Sequence, residues 1–263
     1  MNEFFAFLVE GGPIVRWLAL FVIVGLSFTV FRGFFLARKI QPKGFRLRVF
    51  RNEILYGVLN VATAGTALGW ITGQLTDRGV IAMRSGPVEW WVVALEYGLY
   101  FFLFDTYFYW FHRLMHKDPI YRWVHKIHHF STSPNPMTTI SVSPFESIVN
   151  GGFVPIFLSL FTVHEASMAW IGPTNILMGF YVHMGFEFFP RWWNRSWLTK
   201  WFITSTFHDQ HHKYFLVNFG GYTTIWDRLC GTMRPTFEAD FDAVKARAQA
   251  GPVGTTAPKA EAA

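Results

Sequence analysis

The sequence predicts an all-α membrane protein: a polytopic helical bundle of about four to five spans, one of them a hairpin that crosses or dips back, carrying a histidine-rich metal-binding cap on its cytoplasmic side. Three observations carry this. Hydrophobic residues make up 51% of the 263 residues and charged ones only 15%, a balance that suits lipid better than water. Several apolar stretches run 17 to 23 residues, the length of a bilayer-crossing helix. Eight of the ten histidines fall in three short motifs: HRLMH at 112–116, HKIHH at 125–129 and HDQHH at 208–212.

The first expected span is 14–36, with Arg16 and Arg32 near its ends, where long side chains reach the head groups. Six basic residues in 38–51 follow and read as cytoplasmic, which puts the acidic N-terminus outside. The stretch 54–76 carries no charge and returns outward. Its Gly65, Gly69 and Gly73 form a small-residue stripe on which another helix could pack closely. The third span, 88–111, runs inward and ends in His112; within it Glu96 and Asp105 are ionisable groups too costly for a membrane without a purpose. After a Pro- and Ser-rich loop, 147–163 and 166–186 make a hairpin interrupted at Gly151, Gly152, Pro155 and Pro173, with His164 at its far turn. An even number of crossings between the histidine clusters lets them meet on one side. The aromatic and basic stretch 191–202 reads as a helix lying on the cytoplasmic interface, and 248–263 as a disordered tail. Residues 1–247 are thus expected to form a single domain, with its histidine core at 96–232.

Histidines three and four residues apart project from one face of a helix, so each motif can aim its imidazoles at one object. That object is read as metal. Imidazole suits zinc, copper, iron and nickel, and the lone Cys230 excludes thiolate zinc frameworks, disulfide scaffolds and iron–sulfur clusters built by this chain. Eight clustered imidazoles exceed what one tetrahedral ion with an open position can use, so two ions are expected. The expected ligands are His112, His116, His125, His128, His129, His208, His211 and His212, joined by His183 at the inner end of the hairpin. Asp105, two turns before His112, is expected to accept the free N–H of a ligand histidine, the alternative being an arginine partner. Glu187, four residues after His183, joins the cluster or caps; Asp227 supports a ligand histidine. His164 is not expected to be a ligand. The net charge of +6 reads as cytoplasmic Lys and Arg beside anionic head groups, not as nucleic-acid binding. A membrane haem protein would pair histidines inside the bilayer, and a metal transporter would line its spans with ionisable groups; both stand as alternatives.

These motifs resemble the fatty acid hydroxylase and sterol desaturase superfamily of membrane-embedded non-haem di-iron enzymes. HRLMH is similar to its HxxxH box, and HKIHH and HDQHH to its HxxHH boxes. Asp105, HMGFE at 183–187 and NFGGYTTIWDRLCGT at 218–232 extend the likeness over about 96–232. One departure stands out: where many members carry Arg and His before Pro-x-Glu, this chain has Ser141, Val142 and Ser143 before Pro144, Phe145 and Glu146, a position that bears on the substrate subclass. The resemblance implies two iron ions, O2 as cosubstrate, and hydroxylation or desaturation of a fatty acyl chain, sterol or related lipid. It also implies an external electron donor: a cytochrome b5, ferredoxin or similar reductase.

Overall fold

The computed structural model describes residues 32–41, 43 and 46–250. Among them the chain is helical throughout, with isolated β-bridges and no strand. α1 is Arg32–Ala37, α2 Leu47–Asn60, α3 Thr66–Asp77, α4 Trp90–Met115, α5 Pro144–Leu160, α6 Glu165–Val182, α7 Ser205–Tyr214, α8 Ile225–Leu229 and α9 Phe237–Ala250. The expected span at 14–36 lies outside the described residues except for its end.

α2 and α3 run on through a π-helical turn at Val61–Gly65 as one helix of 31 residues, Leu47–Asp77. Among the described residues it is the one helix long and apolar enough to cross a membrane by length and composition. It begins seven residues before the expected span, so Arg48 and Arg51 belong to its first turns rather than to a loop. Among the described residues nothing packs on the glycine stripe: a side chain at Gly65, Gly69 or Gly73 would meet no atom within 4 Å. The close approaches fall elsewhere, at Gly57 under Ile140 and at Gly151 of α5 under Leu68.

α4 buries Val93, Tyr100, Phe104, Asp105, Tyr109, His112 and Met115, a stripe with helical spacing that puts Asp105 and His112 on one inward face. α5 opens with Ser143, whose hydroxyl accepts the Glu146 N–H at 3.1 Å, followed by Pro144, where no N–H is needed. Pro155 and Pro173 lie inside α5 and α6 without breaking them, contrary to the expected interruption. Packing against neighbouring helices outweighs the single hydrogen bond that each proline removes. The stretch 191–202 is a chain of turns instead of a helix, with Trp197 79% exposed. Its backbone is held by its own turns and by Thr199, which donates to Trp193 O at 2.6 Å. Residues 248–250, expected in the tail, extend α9.

Two cores result. One joins α4, α5 and α6 through Tyr100, Phe104, Phe153, Phe157 and Ile171, with Tyr222. The other packs Val182, Ile203, Phe207, Phe237 and Phe241 under α7 and α9; each such fully buried ring stabilises the fold by about 1.5–3 kcal/mol. Met178 packs against both, and the histidine-bearing ends of α4, α6 and α7 come together where the two meet. Outward, the long helices expose large apolar side chains, among them Leu55, Val58, Trp70, Leu95, Phe102, Ile156 and Leu177.

Candidate metal centre

The three motifs and His183 converge into two groups: His112, His116, His125, His129 and His211 in one, His128, His183, His208 and His212 in the other, the ligand atoms of each group lying within 4.8 Å of one another. Each HxxHH motif is split between the groups. A π-helical turn at Tyr121–His125 and a 3-10 turn at His128–Phe130 carry the second motif, so His125 and His129 turn one way and His128 the other. On α7, whose N-cap Thr204 accepts from Phe207 N at 3.2 Å, His211 joins the first group while His208 and His212 join the second.

All nine residues present Nε2. In the first group the Nε2 pairs His112/His125, His116/His211 and His116/His129 are 3.1 Å apart, and His125/His129 and His129/His211 are 3.0 Å apart. In the second, His183/His208 are 2.9 Å apart, and His128/His183 and His208/His212 3.2 Å. Nitrogens bound at about 2.1 Å to one ion stand about 3.0 Å apart at a right angle and about 3.4 Å at the tetrahedral angle. The observed edges lie in the range expected of imidazole nitrogens that would share one ion.

Tautomers support the same reading. His112, His183 and His211 donate Nδ1–H to the carbonyls of Phe219, Gly179 and Val217 at 2.8, 2.7 and 2.7 Å, which leaves a lone pair on each Nε2. Within a group, a shared hydrogen can satisfy one close nitrogen pair and not several at once. A cation at each convergence point satisfies all of them, so the residues fit a metal pair. Burial holds His125, His128, His129, His208, His211 and His212 well below the usual histidine pKa, and neighbouring imidazoles lower it further. They are neutral at pH 7, the form that ligates metal.

The carboxylates take other places. Asp105 accepts the N–H groups of Tyr222 and Thr223 at 2.8 and 2.9 Å and the Thr223 hydroxyl, so the expectation that it holds a ligand histidine is not met. The 222–223 backbone folds over its face of α4 first. Glu187 accepts from Thr206 N and Oγ1 at 3.1 and 2.7 Å and from Phe189 N at 3.1 Å; it caps the first turn of α7. Asp227 accepts Phe219 N and Gly220 N at 2.8 and 2.7 Å and acts on His112 through the Phe219 peptide, whose carbonyl receives the His112 proton. Burial pushes its carboxyl up to about 6. Gly220 is required there, since a Cβ would stand 2.2 Å from Thr223 O.

Sequence reasoning gave no role to two acids. Glu146 places Oε1 2.9 Å from His125 Nδ1, a close contact whose alignment falls short of a hydrogen bond. Glu53 accepts from Asn135 and Thr138 at 2.7 and 2.8 Å and from Ser131, fastening the loop after the second motif onto α2. A single acid before an apolar run gave no signal of such a task; Glu146, in its Pro-x-Glu setting, did. His164 N-caps α6, its Nδ1 accepting Ala166 N at 3.0 Å. Beside it Glu96 binds Arg84, His164 N at 2.9 Å and Ser167 at 2.6 Å.

A cavity of about 240 Å³ opens against the groups, lined by His112, His125, His128, His183 and His208 and by Phe104, Phe108, Val154, Met178 and Val182, with Glu146, Asn150 and Asn175 among its polar groups.

Comparison with known proteins places this arrangement. The chain is 36% identical over 51% of its length to the methylsterol monooxygenase erg25A of Aspergillus fumigatus, covering 45% of that protein. It is 35% identical over 49% to methylsterol monooxygenase 1 of Danio rerio, covering 43% of it, and 34% identical over 50% to human cholesterol 25-hydroxylase, covering 48% of it. The chain thus spans about half the length of the curated relatives it matches. No solved structure matches it. The fatty acid hydroxylase family model matches residues 97–232, a stretch that holds all nine convergent histidines, and the chain belongs to that family.

Proposed function

We propose that this chain is an integral membrane, O2-dependent di-iron oxidoreductase that hydroxylates or desaturates a C–H bond of a lipid. The observation that carries the reading is the convergence of nine neutral imidazoles in two groups on the wall of an apolar cavity. His112, His116, His125, His129 and His211 hold one iron, and His128, His183, His208 and His212 the other. When bound, the iron pair supplies the activation of dioxygen needed to break an unactivated C–H bond. The protein's part is to keep the imidazoles neutral and in place: the carbonyls of Phe219, Val217 and Gly179 fix three tautomers, and Asp227 holds the Phe219 peptide. Phe104, Phe108, Val154 and Met178 exclude water and give an acyl or sterol body an apolar wall.

The relatives are named for methylsterols and cholesterol, which favours a sterol or related lipid as substrate. Leu47–Asp77, α4 and the α5–α6 pair are the described part of a bundle of about four to five spans, and lipid covers the outward apolar side chains. The basic residues around 38–51 favour a cytoplasmic side for the metal cap. Electrons come from a separate donor, a cytochrome b5, ferredoxin or similar reductase. The histidine core at 96–232 belongs to a single domain.

Metal analysis of the purified protein is expected to return two ions per chain, iron in the active form, with oxygen uptake that depends on added lipid and a reducing partner. At most one ion per chain would sink the di-iron reading.

A further inference from the structure

The cavity takes up only one side of the histidine cluster. Its wall includes His112, His125, His128, His183 and His208, but not His116, His129 or His211 of the five-histidine group. His116 and His129 meet two other rings instead. From ring centre to ring centre, Tyr121 lies 5.6 Å from His116 and 6.1 Å from His129, and Phe215 lies 4.8 Å from His129 and 6.4 Å from Tyr121. Both outer rings are partly exposed, so on this side a single aromatic layer stands between solvent and the imidazoles. Phe215 follows α7 at φ 66° and ψ −47°, a tight turn that a bulky residue rarely adopts. Strain of this kind persists only where the surrounding structure holds it, and here it seats the ring over His129.

Around these rings the uncompensated charge has one sign. Lys117, Lys126 and Lys213 each lie within a few residues of Tyr121 or Phe215, are exposed and, among the described residues, form no ion pair. The acids nearby are already engaged. Asp118 is held by Arg122 at 3.2 Å and Asp240 by Arg234 at 3.4 Å, while Asp209 is buried and accepts from Gln41 at 2.7 Å. Tyr214, with Lys213 Nζ at 4.9 Å and Arg234 at 3.5 Å over its ring, and Leu216 add exposed apolar surface beside the lysines.

We infer that Lys117, Lys126 and Lys213, set around the Tyr121 and Phe215 rings, form the docking face of an acidic one-electron carrier protein, whose electrons enter the metal centre at the five-histidine group. This rests on the lipid-oxidation reading above and gives its electron donor a seat. Hydroxylation breaks a C–H bond, forms a C–O bond and releases the second oxygen atom as water; desaturation breaks two C–H bonds, forms a C=C bond and releases both oxygen atoms as water. In either outcome O2 takes four electrons, two from the lipid and two, with two protons, from outside. The lone Cys230 cannot build an iron–sulfur cluster to hold them. A carrier that gives one electron at a time must therefore dock and leave twice per turnover, which calls for a small, charge-steered and quickly released contact instead of a large apolar one. Three unpaired cations supply the steering, and the single aromatic layer keeps the path to His116 and His129 short. Substrate and electrons thus reach the centre from different sides.

The test measures binding of two acidic carriers, the soluble haem domain of a cytochrome b5 and a plant-type ferredoxin, to the iron-loaded protein in phosphatidylcholine nanodiscs by surface plasmon resonance. At least one is expected to bind, and to bind about tenfold or more weakly at high salt than at low. The triple change Lys117→Glu, Lys126→Glu and Lys213→Glu is expected to weaken low-salt binding by a similar factor, and Lys117→Gln, Lys126→Gln and Lys213→Gln together by less, with metal content unchanged in both. Stopped-flow oxidation of the reduced carrier is expected to slow in the same order. Binding of neither carrier, wild-type binding indifferent to salt, or binding unchanged by charge reversal would overturn the docking face. In that last case, loss of stabilisation by phosphatidylglycerol nanodiscs in the reversed protein would assign the lysines to anionic lipid instead. Should the reversed protein lose its metal, the glutamine variant and the wild-type salt dependence decide. Wild-type protein reduced anaerobically with dithionite and then given oxygen and lipid separates the two readings: lipid oxidation there without carrier binding would overturn the docking face and leave the proposed function standing, whereas lysine-dependent carrier binding without any lipid oxidation would overturn the proposed function and leave the face standing.

Discussion

The two ends of α6 each carry a histidine, and the two do opposite things. His164, at the N-cap, uses Nδ1 to accept the Ala166 N–H, so its Nε2 carries the hydrogen, 3.3 Å from Gly86 O. His183, at the C-cap, uses Nδ1 to donate to Gly179 O, so its Nε2 carries a lone pair and turns it toward His128 and His208. A helix N-terminus offers free N–H groups and a C-terminus free carbonyls. The end of the helix on which a histidine sits therefore selects its tautomer, and the tautomer decides whether the imidazole caps a backbone or binds a cation.

The largest expected effect comes from breaking the C-terminal side of this pair. His183→Ala is expected to lower the metal content from two ions to one and to abolish lipid oxidation, while the protein stays in the membrane. Metal analysis and product assays on the same preparation check both.

Acid is expected to act next, and on the metal end alone. The buried histidines of the two groups have folded pKa values well below the roughly 6.5 of an unfolded histidine. Below that pH the unfolded chain binds more protons than the fold, so their contribution is fully present above about pH 6.5 and is lost progressively as pH falls beneath it. Protons also compete with metal for the same nitrogens. Metal release and a fall in melting temperature are expected to begin together as pH drops through about 6; release without any loss of stability would break the link.

Asp227→Asn is expected to be milder. It weakens the grip on the Phe219 and Gly220 N–H groups that orients the acceptor of His112, and losses one step removed from a ligand are typically about 10–100-fold in metal affinity. Competition with a chelator measures this, with His112→Ala as the upper bound.

The smallest effect belongs to the N-terminal histidine. His164→Ala removes a cap, worth about 1 kcal/mol, and is expected to lower the melting temperature slightly while leaving metal content and lipid oxidation unchanged. If His164→Ala proved as damaging as His183→Ala, the two ends of α6 would not be separate in function.

Much of this protein follows from its sequence alone. Length and hydropathy called for long helices; α4, α5 and α6 begin and end within four residues of the expected stretches, and Leu47–Asp77 begins seven before its own. Histidine spacing singled out eight residues and position along the hairpin a ninth, His183; all nine converge, with His164 apart. Those properties are local, set by side-chain solvation and by the 3.6-residue repeat. Other features were settled by contacts between residues far apart in the chain. The division of the nine into five and four cuts through both HxxHH motifs, because each imidazole turns toward whichever carbonyl or neighbour tertiary packing brings near. Asp105 sits in the helical register expected of it and Glu187 lies beyond the end of α6, yet the 222–223 backbone and the first turn of α7 reach them. Glu146 reads in sequence only as part of the Pro-x-Glu departure, and only the fold brings its Oε1 to 2.9 Å from His125 Nδ1. Spacing along a helix determines which face a side chain shares; which partner meets that face depends on chain segments that spacing does not describe.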